Sequence, residues 1–298
     1  GIILFTNITE DHLDFHGDME SYLAAKLSFL DYLKKSGSAV KMVLVNREIQ
    51  YRERVMAAVA ASGLPSRTFG LEGGDYAARR AEADLEKTVF HFHGPQGDGA
   101  VSLAARGFFS VLNALGAMAL ALEAGVSLPA ALAGVAAVRI PGRFEIVPGS
   151  GSFLVVVDYA HTDDALLNLI GSARKLNPQR IITVFGCGGD RDRRKRPLMA
   201  KAASAGSDIV FVTSDNPRSE DPQAIINDIL PGIADTSKER CRVLIRREEA
   251  IAAAIGEARP GDVVLIAGKG HEDYQIFAGR TIHFSDQETA AAVLRGRA

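Results

Sequence analysis

Phe153-Leu-Val-Val-Val-Asp158-Tyr-Ala-His161 is an apolar run that stops on an acid, and the pattern recurs through the second half of the chain. Apolar segments at 153–158, 180–185, 208–212, 241–246 and 262–266 start about 21 to 33 residues apart, with helix-patterned stretches between them. Continuous apolar runs mark strands covered on both faces, and the intervals leave room for one crossover helix each. The spacing predicts successive βαβ units and a mainly parallel, doubly wound sheet. Ligands of such sheets bind beyond the carboxyl ends of the strands. That directs attention to four polar runs: Asp158-Tyr-Ala-His161, Gly186-Cys-Gly-Gly-Asp-Arg191, Ser214-Asp-Asn-Pro-Arg218 and Gly268-Lys-Gly-His-Glu272.

Upstream, the pattern breaks at Ile140-Pro141-Gly142, which sets a boundary between a domain over 1–140 and one over 141–298. Residues 2–6 read as a buried strand, followed by a long polar loop and a helix from 19 to 35 with Met19, Tyr22, Leu23, Leu27, Leu30 and Leu33 at helical spacing. A strand at 41–45, a helix at 48–62, β-like segments through 66–104 and helices near 107–124 and 127–137 make the first domain an α/β unit with extra strands. The chain begins inside a strand without an initiating Met, as expected of a fragment of something longer.

A length of 298 residues suits two domains. With 34 Lys plus Arg against 36 Asp plus Glu, the formal charge of −2 offers no global field for nucleic acid or anionic lipid, so any anion site is local. Only Cys187 and Cys241 are present, too few for a disulfide framework, which points to a reducing, cytoplasmic setting. No apolar run approaches the roughly 20 residues that cross a bilayer. Neither nucleic acid nor membrane is an expected partner.

Each motif has a chemical reading and a plain one. Gly186-Cys-Gly-Gly-Asp-Arg191 fails the dinucleotide pattern because Arg191 stands where a third Gly belongs, and no Walker pattern occurs anywhere in the chain. What remains is a flexible turn presenting basic side chains beside a helix start, suited to carboxylate or phosphate, or else a solvated helix start. Asp215-Asn-Pro-Arg218 sets an acid and a guanidinium at a strand end, able to take the ammonium and carboxylate of an amino acid; a turn with an internal salt bridge is the alternative. The glycines of Gly268-Lys-Gly-His-Glu272 allow close backbone approach to a ligand. Asn7-Ile-Thr-Glu-Asp-His12-Leu-Asp-Phe-His16 has donors suited to a divalent cation, or is a surface capping loop. Lys26 sits among Leu23, Ala24, Ala25 and Leu27, an odd place for a cation unless it is altered, paired or snorkelling.

In this order, Thr6-Asn-Ile-Thr-Glu-Asp-His-Leu-Asp-Phe-His-Gly-Asp18 with Tyr22-Leu-Ala-Ala-Lys26, Gly142-Arg-Phe-Glu145, Val157-Asp-Tyr-Ala-His-Thr162, Phe185 to Asp192 with Lys195-Arg-Pro197, Asp215-Asn-Pro-Arg218 and Gly268-Lys-Gly-His-Glu272 resemble the motifs of the Mur ligases. These are the ATP-dependent amide ligases of peptidoglycan synthesis, and the resemblance is to the branch that adds the third amino acid. It covers nearly the whole chain. It implies an incomplete central α/β ATPase domain over 1–140, whose P-loop would precede Gly1, and a Rossmann-like doubly wound C-terminal domain over 141–298 that brings the amino acid. The chain alone is then expected to be inactive.

The resemblance further implies ATP and Mg²⁺ as cofactors and an acyl-phosphate intermediate. His12 matches a magnesium ligand. Lys26 matches a lysine carbamylated by CO₂, a reaction that needs a neutral amine and so apolar surroundings. Asn113 matches an adenine contact, Arg143 and Asp158 match positions facing ATP phosphate and ribose, and His161 stands in the same motif. Ser110 and Asp163 depart from the family's usual Asn and Pro. Arg191, Asp215, Asn216, Arg218, Gly268 and Glu272 match the amino-acid pocket. There Arg218 favours meso-diaminopimelate, whose distal carboxylate it can pair, over lysine, whose ammonium it would repel. The acceptor would be UDP-N-acetylmuramoyl-L-alanyl-D-glutamate, and a monomer is expected. Another Mur ligase, a folylpolyglutamate synthase or a non-catalytic amino-acid-binding module are the competing readings.

Overall fold

Contacts divide the chain into two units, Gly1–Arg139 and Ile140–Ala298. The computed structural model describes residues 1–9, 13–37, 39–83, 88–104, 108–149 and 151–297.

In the first unit β1 (Ile2–Phe5) is followed by α1 (Leu13–His16), α2 (Met19–Lys35), β2 (Met42–Asn46), α3 (Arg52–Ser62) and four strands, β3 (Ser66–Leu71), β4 (Tyr76–Ala83), β5 (Thr88–Gly94) and β6 (Gly97–Leu103). Helices α4 (Phe108–Glu123) and α5 (Leu128–Ala137) close it. The sheet order is β1-β2-β3-β4-β5-β6, parallel from β1 to β4 and antiparallel from β4 to β6. Alternation along β2 shows how the sheet is covered: Val43 and Val45 pack with Leu23 and Leu30 of α2 and with Val55 and Val59 of α3. Leu44 packs on the opposite face with Leu115, Met118 and Leu122 of α4. Helix α3 starts at Arg52 rather than 48, because Tyr51 is left-handed (φ +55°) and the Asn46 side chain binds the Glu48 amide at 3.0 Å in a turn.

The second unit holds β7 (Glu145–Ile146), β8 (Leu154–Asp158), α6 (Asp163–Arg174), β9 (Ile181–Phe185), α7 (Lys195–Gly206), β10 (Ile209–Val212), α8 (Pro222–Ile229), β11 (Cys241–Val243), α9 (Arg247–Glu257), β12 (Val263–Ala267), β13 (Tyr274–Phe277), β14 (Arg280–His283) and α10 (Asp286–Arg297). The sheet order is β11-β10-β9-β12-β8-β7, parallel except for β7 against β8. Strands β8, β9, β10 and β12 are buried almost throughout, in line with their continuous apolar runs. Helices α9 and α10 cover one face through Ile251, Ile255, Ala290 and Leu294, while α6 and α7 take the other. The segment read as a strand to 246 ends at Val243 as a regular strand, although the Leu244 amide and the Ile245 carbonyl still bond to the end of β10. The β13-β14 hairpin, registered Tyr274 to His283, is an element the apolar pattern did not reveal. No helix among the described residues is long and apolar enough to cross a membrane.

Candidate functional site

Strands β9, β10 and β12 end side by side, and their three following turns interlock. The turn after β9 donates its Gly189 amide to the Asn216 carbonyl at 2.9 Å. A Cβ on Gly189 would lie 1.8 Å from the Pro217 carbonyl oxygen, so this approach requires glycine. The turn after β10 carries Asp215, Asn216 and Arg218. Arg218 has a left-handed backbone (φ +55°), a conformation costing on the order of 1–3 kcal/mol. It is held there by its amide bond to the Ile276 carbonyl of β13 at 2.9 Å.

The side chains form a cluster around Lys269, which is completely buried. Its ammonium donates to Asn216 Oδ1 at 3.1 Å and Glu272 Oε2 at 3.2 Å, and lies 3.8 Å from Asp215 Oδ1. Asn216 donates to Glu272 Oε2 at 3.0 Å and accepts from the Ile276 amide at 3.1 Å. Its amide group thus positions Glu272. One ammonium shared by two carboxylates leaves an excess negative charge.

A positive end lies beside it. Arg218 Nη1 donates to the Gly189 carbonyl at 2.6 Å, and the rest of its guanidinium has no hydrogen-bond partner among the described residues. Arg191, exposed, flanks the same spot: a Cβ built on Gly188 would lie 2.8 Å from Arg218 Nη1 and 3.7 Å from Arg191 Cγ. Gly268 (φ +121°) has no room for a side chain either, since its Cβ would meet Asp215 Oδ2 at 2.7 Å. Its amide bonds the Asp158 carbonyl at 3.0 Å. The structure therefore gathers Arg191, Asp215, Asn216, Arg218, Gly268 and Glu272, and adds Lys269. A lysine between two glycines at the end of a fully apolar strand was the available signal for it. Cys187, in the same turn, is no nucleophile: burial pushes its thiol up to about 12.

The turn after β8 is built around Asp158. The carboxylate of Asp158, 4% exposed, accepts the Phe144 amide at 2.7 Å on Oδ2 and the Ala160 amide at 2.8 Å on Oδ1. Burial raises its pKa against the opposing pull of those two amides. With one amide on each oxygen, Asp158 braces the 142–145 turn. Arg143 is exposed with its guanidinium 4.8 Å from the Tyr159 ring centroid, and that ring packs edge-on to His161 at 4.8 Å and stacks on His271 at 5.7 Å. Tyr159 is 3.5 Å from Glu272 Oε1, which ties this cluster to the Lys269 cluster. Asp163 occupies the first turn of α6 after the Thr162 cap, where a negative charge is favourable.

In the first unit, Lys26 is exposed on α2, its ammonium 5.1 Å from the Tyr22 ring centroid. It lies three residues after Leu23 and four before Leu30, on the side of α2 that those two buried leucines share, yet its own side chain is exposed. Asn113 is exposed on α4. His12 lies outside the described residues, so the expected magnesium ligand has no described geometry; among the described residues no three His, Cys, Asp or Glu cluster as metal ligands.

Residues 2–121 match the family described as Mur ligase middle domain, and residues 142–270 that described as Mur ligase, glutamate ligase domain. These matches cover most of the chain with Mur ligase domains, and the chain belongs to the Mur ligase family. Within the family it is similar to the UDP-N-acetylmuramoyl-L-alanyl-D-glutamate--2,6-diaminopimelate ligase of Syntrophomonas wolfei subsp. wolfei, 43% identical over 99% of this chain and 60% of that protein. The ligase of the same name from Solibacter usitatus is 46% identical over 98% of this chain and 58% of its own length. A solved structure of a ligase of that name superposes with a TM-score of 0.60 at 34% identity, covering 99% of this chain and 60% of the other. The MurF ligase of Thermotoga maritima, solved with ADP, shares the fold with a TM-score of 0.71 at 16% identity, covering 100% of this chain and 63% of the other. The chain spans about 60% of the length of the curated relatives it matches.

Proposed function

We propose that the chain is the amino-acid-binding and part of the nucleotide-binding portion of a ligase that joins meso-diaminopimelate to UDP-N-acetylmuramoyl-L-alanyl-D-glutamate in peptidoglycan synthesis. What carries the reading is the two-signed pocket of the second unit, where two carboxylates share the Lys269 ammonium beside the partly unpaired Arg218 guanidinium. A zwitterion fits such a pocket in one orientation. Asp215 and Glu272 accept from the ammonium at the distal end of the guest, and Arg218, with Arg191 near it, takes the carboxylate of that end. Lysine has no carboxylate there and would leave Arg218 unpaired against an ammonium.

ATP, when bound, supplies the phosphoryl group that activates the acceptor carboxylate, and the bound amino acid's free amine is the nucleophile that closes the amide. For this chain's own residues the task is holding and orienting. Arg143, with its neighbours Tyr159, His161 and His271, offers a cationic and aromatic surface for phosphate and a base, and Asn113 is the residue proposed to meet adenine. His12 and Lys26 are proposed at the magnesium site, Lys26 as a carbamate formed when its neutral amine adds to CO₂ and gives up a proton.

Calorimetric titration of the chain with meso-diaminopimelate and with L-lysine tests the reading. Saturable binding of the first and at least about tenfold weaker binding of the second are expected, a gap of about 1.4 kcal/mol. Equal affinity for both, or none for either, would refute it.

A further inference from the structure

Gly189-Asp190-Arg191 in the turn after β9 and Arg218-Ser219-Glu220 in the turn after β10 exchange bonds residue by residue. The Gly189 carbonyl accepts from Arg218 Nη1 at 2.6 Å. One residue on, Asp190 Oδ1 accepts the Ser219 hydroxyl at 2.6 Å and Oδ2 the Ser219 amide at 3.1 Å. In return the Asp190 amide donates to Glu220 Oε1 at 2.6 Å. The Asp190 carbonyl accepts from Arg191 Nη1 at 3.4 Å. Asp190 therefore stands between the two guanidiniums of the positive end and is bonded to the chain that carries each.

The backbone shows how tightly this contact is specified. Asp190 (φ +54°) and Arg218 (φ +55°) are both left-handed, a region that residues other than glycine occupy only where their surroundings hold them. Glu220 is held from behind by Arg196, which is 1% exposed. Arg196 grips it as a fork, Nη1 on Oε2 at 2.9 Å and Nη2 on Oε1 at 2.6 Å, while Nη1 also meets Asp228 at 2.8 Å and Nη2 the Gly188 carbonyl at 3.4 Å. A buried fork fixes Glu220, and Glu220 fixes where the Asp190 amide lies.

The ammonium end of the pocket is set by other contacts. Asn216 and Glu272 are placed by Lys269 and the Ile276 amide, and the Asp215 carbonyl accepts from Gln275 Nε2 at 2.5 Å. Asp190 touches none of these. Its own charge matters too: the Ser219 hydroxyl and amide, with Arg218 and Arg191 nearby, hold its carboxyl below the usual range. A bare acid at this place would repel an anionic guest, so a positioning role and a mere charge role predict opposite effects of its removal.

We propose that Asp190 is a specificity-determining positioning residue: through Ser219 and Glu220 it fixes where Arg191 and Arg218 stand, so that both meet one carboxylate of the guest. It thereby sets the preference for an amino acid whose far end carries a carboxylate over one whose far end carries only an ammonium, a role that rests on the proposed reading of the pocket.

Calorimetric titration of the full chain and its variants with meso-diaminopimelate and L-lysine is the experiment, with the melting temperature as the check on folding. Asp190→Ala, at an exposed position, should weaken meso-diaminopimelate about fivefold or more and leave L-lysine within about twofold, so that selectivity falls while the ammonium end stays intact. Asp190→Asn tolerates the left-handed backbone and can still bond Ser219, so it should stay within about twofold of wild type for both guests. Amide hydrogen exchange reads the contact without a guest: the Ser219 amide should exchange about tenfold faster in Asp190→Ala and near the wild-type rate in Asp190→Asn. The proposal is overturned if Asp190→Ala keeps or gains affinity for meso-diaminopimelate, if both guests weaken alike, if Asp190→Asn is as impaired as Asp190→Ala, or if the Ser219 amide exchanges no faster. A wild-type chain that does not prefer meso-diaminopimelate overturns the pocket reading and this role together, whereas failure of this role alone leaves the wild-type preference standing.

Discussion

Arg247 and Lys269 are both completely buried in the second unit, and they are answered in opposite ways. Arg247 faces one carboxylate, Asp286, through two parallel bonds of 2.8 and 2.7 Å, and its remaining reach ends on the Ala267 and Ser214 carbonyls. Neither partner of that pair is exposed at all. Lys269 faces two carboxylates, Asp215 and Glu272, whose side chains are 11% and 17% exposed. A sealed one-to-one pair is structure, because no charge is left over for anything outside. A shared cation with surplus acid at an open edge is a site, since a second cation from outside completes it.

Breaking the sealed pair should have the largest effect. Asp286→Ala leaves a buried guanidinium without its partner and is expected to lower unfolding stability by about 3–5 kcal/mol in urea titrations. The shared cluster should respond less in stability and more in binding. Lys269→Met removes the donor to Asn216 and Glu272 and should cost about 1–3 kcal/mol of stability, while weakening diaminopimelate beyond detection by calorimetry. Removing the positive end alone, by Arg218→Ala, should weaken diaminopimelate roughly 10- to 100-fold with little change in unfolding. If Lys269→Met bound diaminopimelate as wild type does, the distinction between the two cations would fail.

The smallest effect concerns pH. Glu220 is held below its ordinary value by its hydrogen bonds from Arg196, and Asp228 by those from Arg193 and then Arg196. Carboxylates lowered in the folded state stabilise it above their unfolded values, 4.5 and 3.8, and that contribution fades as pH falls through the folded ones. The melting temperature should therefore drop on acidification below about pH 4.5, and more gently in Arg196→Met, as differential scanning calorimetry at stepped pH would show.

The parallel sheet was legible because strands buried on both faces leave unbroken apolar runs, as in Ile181–Phe185 and Val263–Ala267. The hairpin was not: Tyr274–Phe277 and Arg280–His283 are four residues each and partly exposed, so they carry no such run. The pocket's charged members announced themselves as polar residues at strand ends, whereas the burial of Lys269 follows from three turns meeting, which no local pattern encodes. Lys26 went the other way. Its neighbours in sequence are apolar and it shares a helix side with the buried Leu23 and Leu30, so its exposure depends on what the fold sets over that point of α2, which spacing does not encode. Asp158 could be placed at a strand end from sequence, yet its pairing with the Phe144 and Ala160 amides depends on how the 142–145 turn folds back.

A crystal structure of the chain soaked with meso-diaminopimelate tests the account most directly. The distal carboxylate should lie within about 3 Å of the unpaired Arg218 nitrogens, with the adjacent ammonium on Asp215 and Glu272. A guest seated elsewhere, or one whose ammonium faces Arg218, would contradict it.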